Sequence, residues 1–269
     1  MHPGGDKVII YENTLKKIKE ELARKRTMPQ AAYFSPSSDI FQPLPEVLEL
    51  GYSILEFLFS VNIGVVLVTK GHIPDKTMSL LLRYPEKVRV QIGIITLDED
   101  ISRVFEPNTA DPSVRLEQMK KMVAGGVPTE ARLVPILPGI TNALEKVEKL
   151  LFSVADTGVK RIAVSALFLR PAIVESLRQG VPDKKMLEDL LRFYSNSRRM
   201  VVHTERSSIV ALPKKTRQVI YTRFSEVAKK YGLETSICGC MNPDISTGTC
   251  NIAGTWPRQF GIQPGLFGE

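Results

Sequence analysis

The sequence predicts an α/β protein in which helices cover a mainly parallel sheet. Short apolar runs, rich in β-branched residues, alternate along the chain with longer segments of helical period. Most of these apolar runs are continuous, as expected for strands that are buried on both faces. The 269 residues contain no sequence repeat, low-complexity tract or linker, so one large domain is the simplest organisation.

Seven apolar segments are the predicted strands. They are AAYFS (31–35), VVLVT (65–69), VRVQIGIIT (88–96), ARLVPIL (131–137), RIAVSALFL (161–169), MVVHT (200–204) and TSIC (235–238). Repeated strand–helix alternation predicts right-handed βαβ units, arranged as an open doubly wound sheet or as a barrel. In both arrangements, functional residues lie where the carboxyl ends of the strands meet the following loops.

The intervening segments carry helical stripes with recognisable ends. Capping residues or prolines indicate helix starts at Asn13, Asp111–Pro112, Asn142 and Pro213. Glycines indicate helix ends at Gly125–Gly126, Gly158 and Gly232. These signals predict four amphipathic helices that pack on the sheet.

Composition and motifs exclude several classes of protein. Apolar residues make up 43% of the chain and charged residues 24%, which is close to globular usage and gives no case for disorder. No apolar run approaches the roughly 18 residues of a membrane span, and the start lacks a signal peptide, so we expect a cytoplasmic protein without a membrane partner. The absence of GxGxxG, GxxxxGK[ST] and GxSxG disfavours nicotinamide dehydrogenases, P-loop NTPases and α/β-hydrolases.

The order and spacing of several segments carry a family resemblance over roughly residues 8–170. The segments are YENTLKKIKEEL (11–22), YFSPSSDIFQPLPE (33–46), VVLVTKG (65–71), VRVQIGIIT (88–96), FEPNTADPSVRLEQMKKMVAGGV (105–127), LVPILPGITN (133–142) and RIAVSALFLR (161–170). In these segments the chain resembles the radical S-adenosylmethionine (SAM) superfamily, and within it the spore photoproduct lyase-like proteins. The resemblance implies a radical SAM enzyme, in which a [4Fe–4S] cluster cleaves SAM reductively to a 5′-deoxyadenosyl radical.

The implied fold is a partial (β/α)6 TIM-like barrel of the radical SAM type. Residues 1–205 would form the barrel without its first strand. Residues 206–269 would form a C-terminal helix and a small cysteine-containing extension.

The resemblance also implies which residues bind SAM. Ser38 and Asp39 would contact its amino acid portion or ribose, and Lys70 would hold its carboxylate. A lysine supplies a point charge for a carboxylate, whereas serine and aspartate supply a donor and an acceptor for hydroxyls. From the residues alone, the favoured interpretation is that Ser38 and Asp39 are turn and helix-cap residues and that Lys70 is a solvated loop lysine.

A second group of implied SAM-binding residues follows the strand at 131–137. Pro138, Gly139 and Asn142 would border the adenine, a role suited to exposed backbone near a glycine. The same Pro-Gly pair is also typical of an ordinary turn. The sequence departs from the family at Gly93, where related proteins often have a serine.

The loop that ligates the radical cluster in the family, CxxxCxxC, does not occur in this sequence. In the family it precedes the segment that matches residues 11–22, and cluster chemistry requires its thiolates. We therefore interpret the chain as an N-terminally shortened radical SAM protein. An incorrectly assigned start codon, an expressed fragment and true loss all remain open.

All three cysteines lie in one short window near the carboxyl end. Cys238, Cys240 and Cys250 would suit an auxiliary iron–sulfur cluster, or a zinc ion completed by His203, Asp244 or water. The spacing CxCx9C differs from that of zinc ribbons. Three reduced thiols, two of them buried in a strand, are the alternative.

Two functions therefore remain in competition at this point. The first is a radical SAM enzyme domain, and the alternative is a non-catalytic barrel scaffold or binding module with a C-terminal cysteine metal site. The net charge of +7 and the basic segments 22–27, 197–200 and 213–217 suit a nucleic acid substrate, but they are equally typical of solvated surfaces.

Overall fold

The computed structural model describes residues 9–34, 38–202, 205–237, 239 and 241–246. Six strands form one parallel sheet, in the order β1-β2-β3-β4-β5-β8, and β6 and β7 form a separate antiparallel pair. The strands are β1 (Ala31–Phe34), β2 (Gly64–Thr69), β3 (Val88–Gly93), β4 (Thr129–Ile136), β5 (Arg161–Ala166), β6 (Arg198–Val202), β7 (Glu205–Ala211) and β8 (Glu234–Ile237).

Nine α-helices lie within the described residues, together with a 3-10 turn at Pro85–Lys87. They are α1 (Thr14–Ala23), α2 (Pro45–Ser60), α3 (Asp75–Arg83), α4 (Glu99–Phe105), α5 (Pro112–Ala124), α6 (Leu144–Asp156), α7 (Pro171–Gly180), α8 (Lys184–Arg192) and α9 (Lys214–Lys230). Strands of the main sheet alternate with helices, and the sheet is not closed between β1 and β8. The predicted α/β fold, a partial TIM-like barrel, is confirmed.

One face of the main sheet carries the apolar core. Val65, Leu67, Ile92 and Val164 are almost fully buried on this face, and they join the apolar stripes of the helices in one continuous cluster. Burying such a side chain contributes on the order of 1.5–3 kcal/mol. The continuous apolar runs of the sequence therefore predict the core strands correctly.

The other face of the sheet is polar at its centre. Gln91 on β3 donates a hydrogen bond from Nε2 to Glu130 Oε2 on β4 at 2.8 Å, and it accepts one at Oε1 from Arg132 at 2.9 Å. Ser165 on β5 is fully buried and is bonded by the Asn242 side chain. The centre of this second face is therefore lined by hydrogen-bonded polar side chains.

The segment around residue 200 differs from its prediction. The run at 200–204 was expected beside the other strands, but β6 instead pairs antiparallel with β7, a strand that the sequence did not predict. Leu169 exchanges backbone hydrogen bonds with Val210, so the predicted strand 161–169 leaves the main sheet after Ala166. This small hairpin buries Phe168, Ile209 and Ala211 in a core of its own.

The carboxyl-terminal elements complete the main sheet. Strand β8 pairs with β5, and α9 packs on β8, β5 and α6. A division of the chain at residue 205 stays a prediction. Within the described residues, no helix has both the length and the apolar character required to cross a bilayer; the cellular compartment stays a prediction.

Candidate functional site

Asp39 joins the loops that follow β1 and β2. Its carboxylate accepts backbone hydrogen bonds from Lys70 at 2.8 Å, Gly71 at 3.2 Å and Phe41 at 2.9 Å. It also accepts the Thr69 hydroxyl at 2.9 Å. The structure therefore brings Asp39 and Lys70 together, and the oxygens of Asp39 are engaged by the protein itself.

Two neighbours of Asp39 complete this loop pair. Ser38 is exposed, and its hydroxyl accepts a hydrogen bond from Gln42 Nε2 at 2.6 Å. Gly71 permits the close approach of the loops, because a Cβ atom at this position would lie 2.6 Å from the Phe41 carbonyl oxygen. The glycine of the TKG segment is thus required by packing.

Lys70 forms an ion pair with a carboxylate that the sequence did not single out. Its Nζ lies 2.6 Å from Glu106 Oε1, and its side chain is 30% exposed, whereas that of Glu106 is 2% exposed. The second oxygen of Glu106 accepts a hydrogen bond from Arg115 Nη1 at 2.5 Å. One buried carboxylate is therefore shared by two cations.

Arg115 is fully buried on the inward face of α5. It donates to the carbonyl oxygens of Ala110 and Gly93 and to the hydroxyls of Ser102 and Thr109, in addition to Glu106. A buried ion pair is a strong constraint, because removal of one partner costs about 3–5 kcal/mol. The helical period of the sequence could have identified Arg115 as buried, because it lies on the same helix stripe as Met119 and Met122.

The path of the Lys70 side chain explains the departure at Gly93. A Cβ atom at this residue would lie 2.6 Å from Lys70 Cγ and 2.8 Å from Lys70 Cε. The aliphatic stem of Lys70 therefore crosses directly over Gly93 on its way to Glu106. Any larger residue at position 93 conflicts with this conformation of Lys70.

The turn after β4 places Pro138, Gly139 and Asn142 at the same carboxyl-terminal edge of the sheet. Gly139 has φ +78°, and its backbone N–H donates to Asn142 Oδ1 at 2.7 Å. The helix predicted to begin at Asn142 starts at Leu144 instead, since the Asn142 side chain serves this turn. The ring of Phe193, which the sequence did not single out, packs on Gly139.

These residues form two groups rather than one cluster. Ser38, Asp39 and Lys70 follow β1 and β2, and residues 138–142 follow β4. Strand β3, with Gly93 at its end, lies between β2 and β4 in the sheet. The predicted residues thus share one edge of the sheet, and their contact with SAM stays a prediction.

A second buried polar network lies at the end of β5. Arg217 donates to Asp244 Oδ1 at 3.0 Å and Oδ2 at 2.6 Å, and to Asn242 Oδ1 at 3.1 Å. Tyr221 donates to Asn242 at 2.8 Å and accepts the backbone N–H of Ala166 at 2.9 Å. The hydrogen bond from Arg217 lowers the pKa of Asp244, and burial raises the pKa of Tyr221.

This network corrects the interpretation of the basic segment 213–217. Arg217 is only 2% exposed and is paired with Asp244, so it is not part of a solvated phosphate-binding surface. Lys214 and Lys215 of the same segment are exposed. Asp244, considered above as a zinc ligand, is bidentate to this guanidinium.

The proposed metal ligands lie outside the described residues. This holds for Cys238, Cys240, Cys250 and His203. In the part of the chain that the structure describes, no three His, Cys, Asp or Glu residues are grouped as a metal site. The carboxyl-terminal metal site stays a prediction.

The sequence is similar to uncharacterized proteins of a virus and of a bacterium. No family model matches the sequence. An uncharacterized protein of Acidianus two-tailed virus is 27% identical over 148 residues, covering 54% of this chain and 49% of that protein. An uncharacterized protein of Mycobacterium tuberculosis H37Rv is 24% identical over 174 residues, covering 63% and 51%. The chain spans about half the length of these curated relatives.

Several solved structures of other proteins have a similar fold. A domain of pyruvate-formate lyase-activating enzyme from Bacteroides vulgatus matches with a TM-score of 0.50 and 13% identity, over 78% of this chain and 99% of that one. A cysteine-to-serine mutant of spore photoproduct lyase matches with a TM-score of 0.63 and 14% identity, over 83% and 65%. A double mutant of that lyase with bound AdoMet and dinucleoside spore photoproduct matches with 0.63 and 13%, over 82% and 64%. At 13–14% identity these similarities show a shared fold, the partial TIM-like barrel.

Proposed function

We propose that this chain is the SAM-binding barrel of a radical SAM enzyme with a fold like that of spore photoproduct lyase. One observation carries the proposal: the Lys70 ammonium is held at the carboxyl-terminal edge of the sheet with part of its surface exposed. The charges of Lys70, Glu106 and Arg115 sum to one net positive charge. A partly exposed ammonium with N–H donors to spare is suited to a ligand carboxylate.

The other predicted residues have unequal parts in such a site. Ser38 presents an exposed hydroxyl beside Asp39 and suits contact with the amino acid portion or ribose of SAM. Asp39 acts through the backbone, because its carboxylate holds the N–H groups of Lys70 and Gly71. The turn at 138–142 offers a packed, preformed edge for the adenine.

The superfamily reaction also needs a [4Fe–4S] cluster, which supplies the electron for reductive cleavage when bound. Such clusters are held by cysteine thiolates. The described residues include no cysteine, and the sequence spacing CxCx9C differs from CxxxCxxC. The described residues do not fit this cluster, and the activity that we propose for these 269 residues is SAM binding.

Nucleic acid is the substrate class that we propose for the whole enzyme. The lyase double mutant with the same fold holds a dinucleoside spore photoproduct. The net charge of +7 supports an anionic partner, and Arg24 and Arg26 are exposed in the segment 22–27. Arg217 makes no contribution, because it is buried and paired.

Isothermal titration with SAM tests the proposed function. We expect Lys70→Met to weaken SAM binding by about tenfold or more, because a charged hydrogen bond contributes about 1.5–3 kcal/mol. Methylthioadenosine, which lacks the carboxylate, should bind both proteins equally. Lys76→Met is the matched control, since Lys76 is an exposed lysine paired with Glu49. Equal SAM affinity of Lys70→Met and wild type would contradict the assignment of Lys70.

The non-catalytic scaffold is the second candidate, and a specific observation favours it. The oxygens of Asp39 and the N–H of Gly139 are bonded within the chain, so these two predicted contacts are already satisfied. A scaffold predicts no SAM binding at millimolar concentration in the same titration. The two candidates therefore give opposite results with the wild-type protein.

A further inference from the structure

We propose that Glu106 and Arg115 position the Lys70 ammonium to bind a ligand carboxylate. Gly93 is the specificity-determining residue, because the absence of a side chain there leaves space for the stem of Lys70. The inference rests on the proposed SAM binding and extends it to three residues that the resemblance does not assign. It concerns how the site selects ligands that carry a carboxylate.

The position of Lys70 is set by groups that are themselves immobilised. Glu106 is buried and directs Oε1 toward Lys70 and Oε2 toward Arg115. Arg115 donates to five acceptors, one of which is the Ala110 carbonyl oxygen. The backbone N–H of Ala110 in turn donates to the Lys70 carbonyl oxygen at 2.9 Å. The ammonium of Lys70 is therefore fixed from both its side chain and its backbone.

The charge balance leaves Lys70 available to a ligand. Arg115 alone neutralises Glu106, so the charge of Lys70 is in excess within this cluster. An ammonium has three N–H donors, and its contact with Glu106 Oε1 is an ion pair in which that oxygen has no hydrogen-bond partner among the described residues, so N–H donors of Lys70 remain for a ligand. Because the cost of ordering the lysine side chain is met before binding, a carboxylate gains more from this site than from a free surface lysine.

Gly93 makes this arrangement possible for a steric reason. The stem of Lys70 passes within 2.6–2.8 Å of where a Cβ atom at residue 93 would lie. Since real Cβ atoms do not approach carbon so closely, even alanine requires the stem of Lys70 to move from the path by which it reaches Glu106. The glycine that departs from the family pattern is thereby explained as the partner of Lys70.

The test is a double-mutant cycle of Gly93→Ala and Lys70→Met, measured by titration with S-adenosylhomocysteine and methylthioadenosine. Both ligands carry the adenosine, and only the first carries a carboxylate. We expect Gly93→Ala to weaken S-adenosylhomocysteine binding about tenfold, to leave methylthioadenosine binding unchanged, and to have no further effect in the Lys70→Met background. Gly180→Ala is the matched control, because a Cβ atom there meets nothing within 4 Å.

Other results overturn the inference in distinguishable ways. If Gly93→Ala weakens both ligands equally, or weakens binding as much in the Lys70→Met background, residue 93 acts on the strand rather than on Lys70. If Lys70→Met weakens binding and Gly93→Ala does not, the inference fails while the proposed function stands. A wild-type chain that binds neither ligand overturns both.

Glu106→Gln probes the positioning pair directly. It should lower the preference for S-adenosylhomocysteine over methylthioadenosine, since Lys70 loses the group that orients it. Arg115 would then lack its buried anionic partner, so circular dichroism must first show a folded protein. A folded Glu106→Gln protein with the wild-type preference contradicts the positioning role.

Discussion

At the scale of single residues, Asp39 is the connection between the first two strand ends. We expect Asp39→Ala to lower the free energy of unfolding by about 1–3 kcal/mol, because the partly buried backbone N–H of Lys70 and the hydroxyl of Thr69 lose their acceptor. Urea denaturation measures this change. Asp100→Ala is the control: its carboxylate is exposed and pairs with Arg103, and such pairs contribute about 1 kcal/mol or less. Equal losses in both variants would contradict the role of Asp39.

Asp244 gives the stability of the protein a predictable pH dependence. The hydrogen bond from Arg217 lowers the pKa of Asp244 in the folded state relative to the unfolded state. The resulting stabilisation is therefore present above the unfolded pKa of about 3.9 and is lost as the pH falls through the folded pKa. We expect the stability difference between wild type and Asp244→Asn to be largest near pH 6 and to shrink toward pH 3.

Urea midpoints at several pH values measure that difference. Asp100→Asn serves as the control, since the Asp100 carboxylate is exposed and its pair with Arg103 is screened by solvent. A difference between wild type and Asp244→Asn that grows on acidification would show that the Arg217 pair does not act as described.

At the scale of elements, the buried Tyr221 hydroxyl joins α9 to β5 by a hydrogen bond. Tyr221 accepts the Ala166 N–H and donates to Asn242, so Tyr221→Phe leaves both groups without this partner. We expect a loss of about 1–3 kcal/mol in the free energy of unfolding, measured in urea. Tyr52→Phe removes an exposed hydrogen bond to Glu56 and should stay within about 0.5 kcal/mol of wild type. A Tyr221→Phe protein as stable as wild type would show that water replaces the hydroxyl.

The hairpin of β6 and β7 contains one strand that the hydropathy pattern predicts and one that it does not. The apolar run at 200–204 predicts a strand, and a strand is present at β6. The sequence of β7, ERSSIVA, is half polar and gave no strand prediction. Its pairing with β6 and its bridge from Val210 to Leu169 stabilise it instead.

At the scale of the whole molecule, the 269 residues combine the barrel fold with a cysteine pattern unlike CxxxCxxC. We expect no reductive cleavage of SAM by this chain, even after anaerobic reconstitution with iron and sulfide, because the radical cluster needs thiolates at a defined loop. Dithionite-dependent formation of 5′-deoxyadenosine measures the activity, with spore photoproduct lyase as the positive control. Product above the blank without enzyme would contradict this expectation.

The sequence by itself determined the class of fold and the edge of the sheet on which the candidate site lies. Local features were sufficient for this: continuous apolar runs mark strands buried on both faces, Pro112 marks a helix start and Gly158 marks a helix end. Helical period also predicts which charged residues are buried, which an interpretation based on charge alone does not. Arg217 was assigned to a solvated basic segment, yet it lies on the stripe of Ile220 and Phe224, which is buried.

Only the tertiary structure decided which polar groups meet. Lys70 and Glu106 lie 36 positions apart, and Arg217 and Asp244 lie 27 apart, so no local periodicity relates them. The glycine at position 93 is explained by a tertiary contact, because the stem of Lys70 crosses directly over it. The physical reason is that burial follows from the periodicity of one element, whereas charge pairing and steric exclusion depend on how separate elements pack against each other.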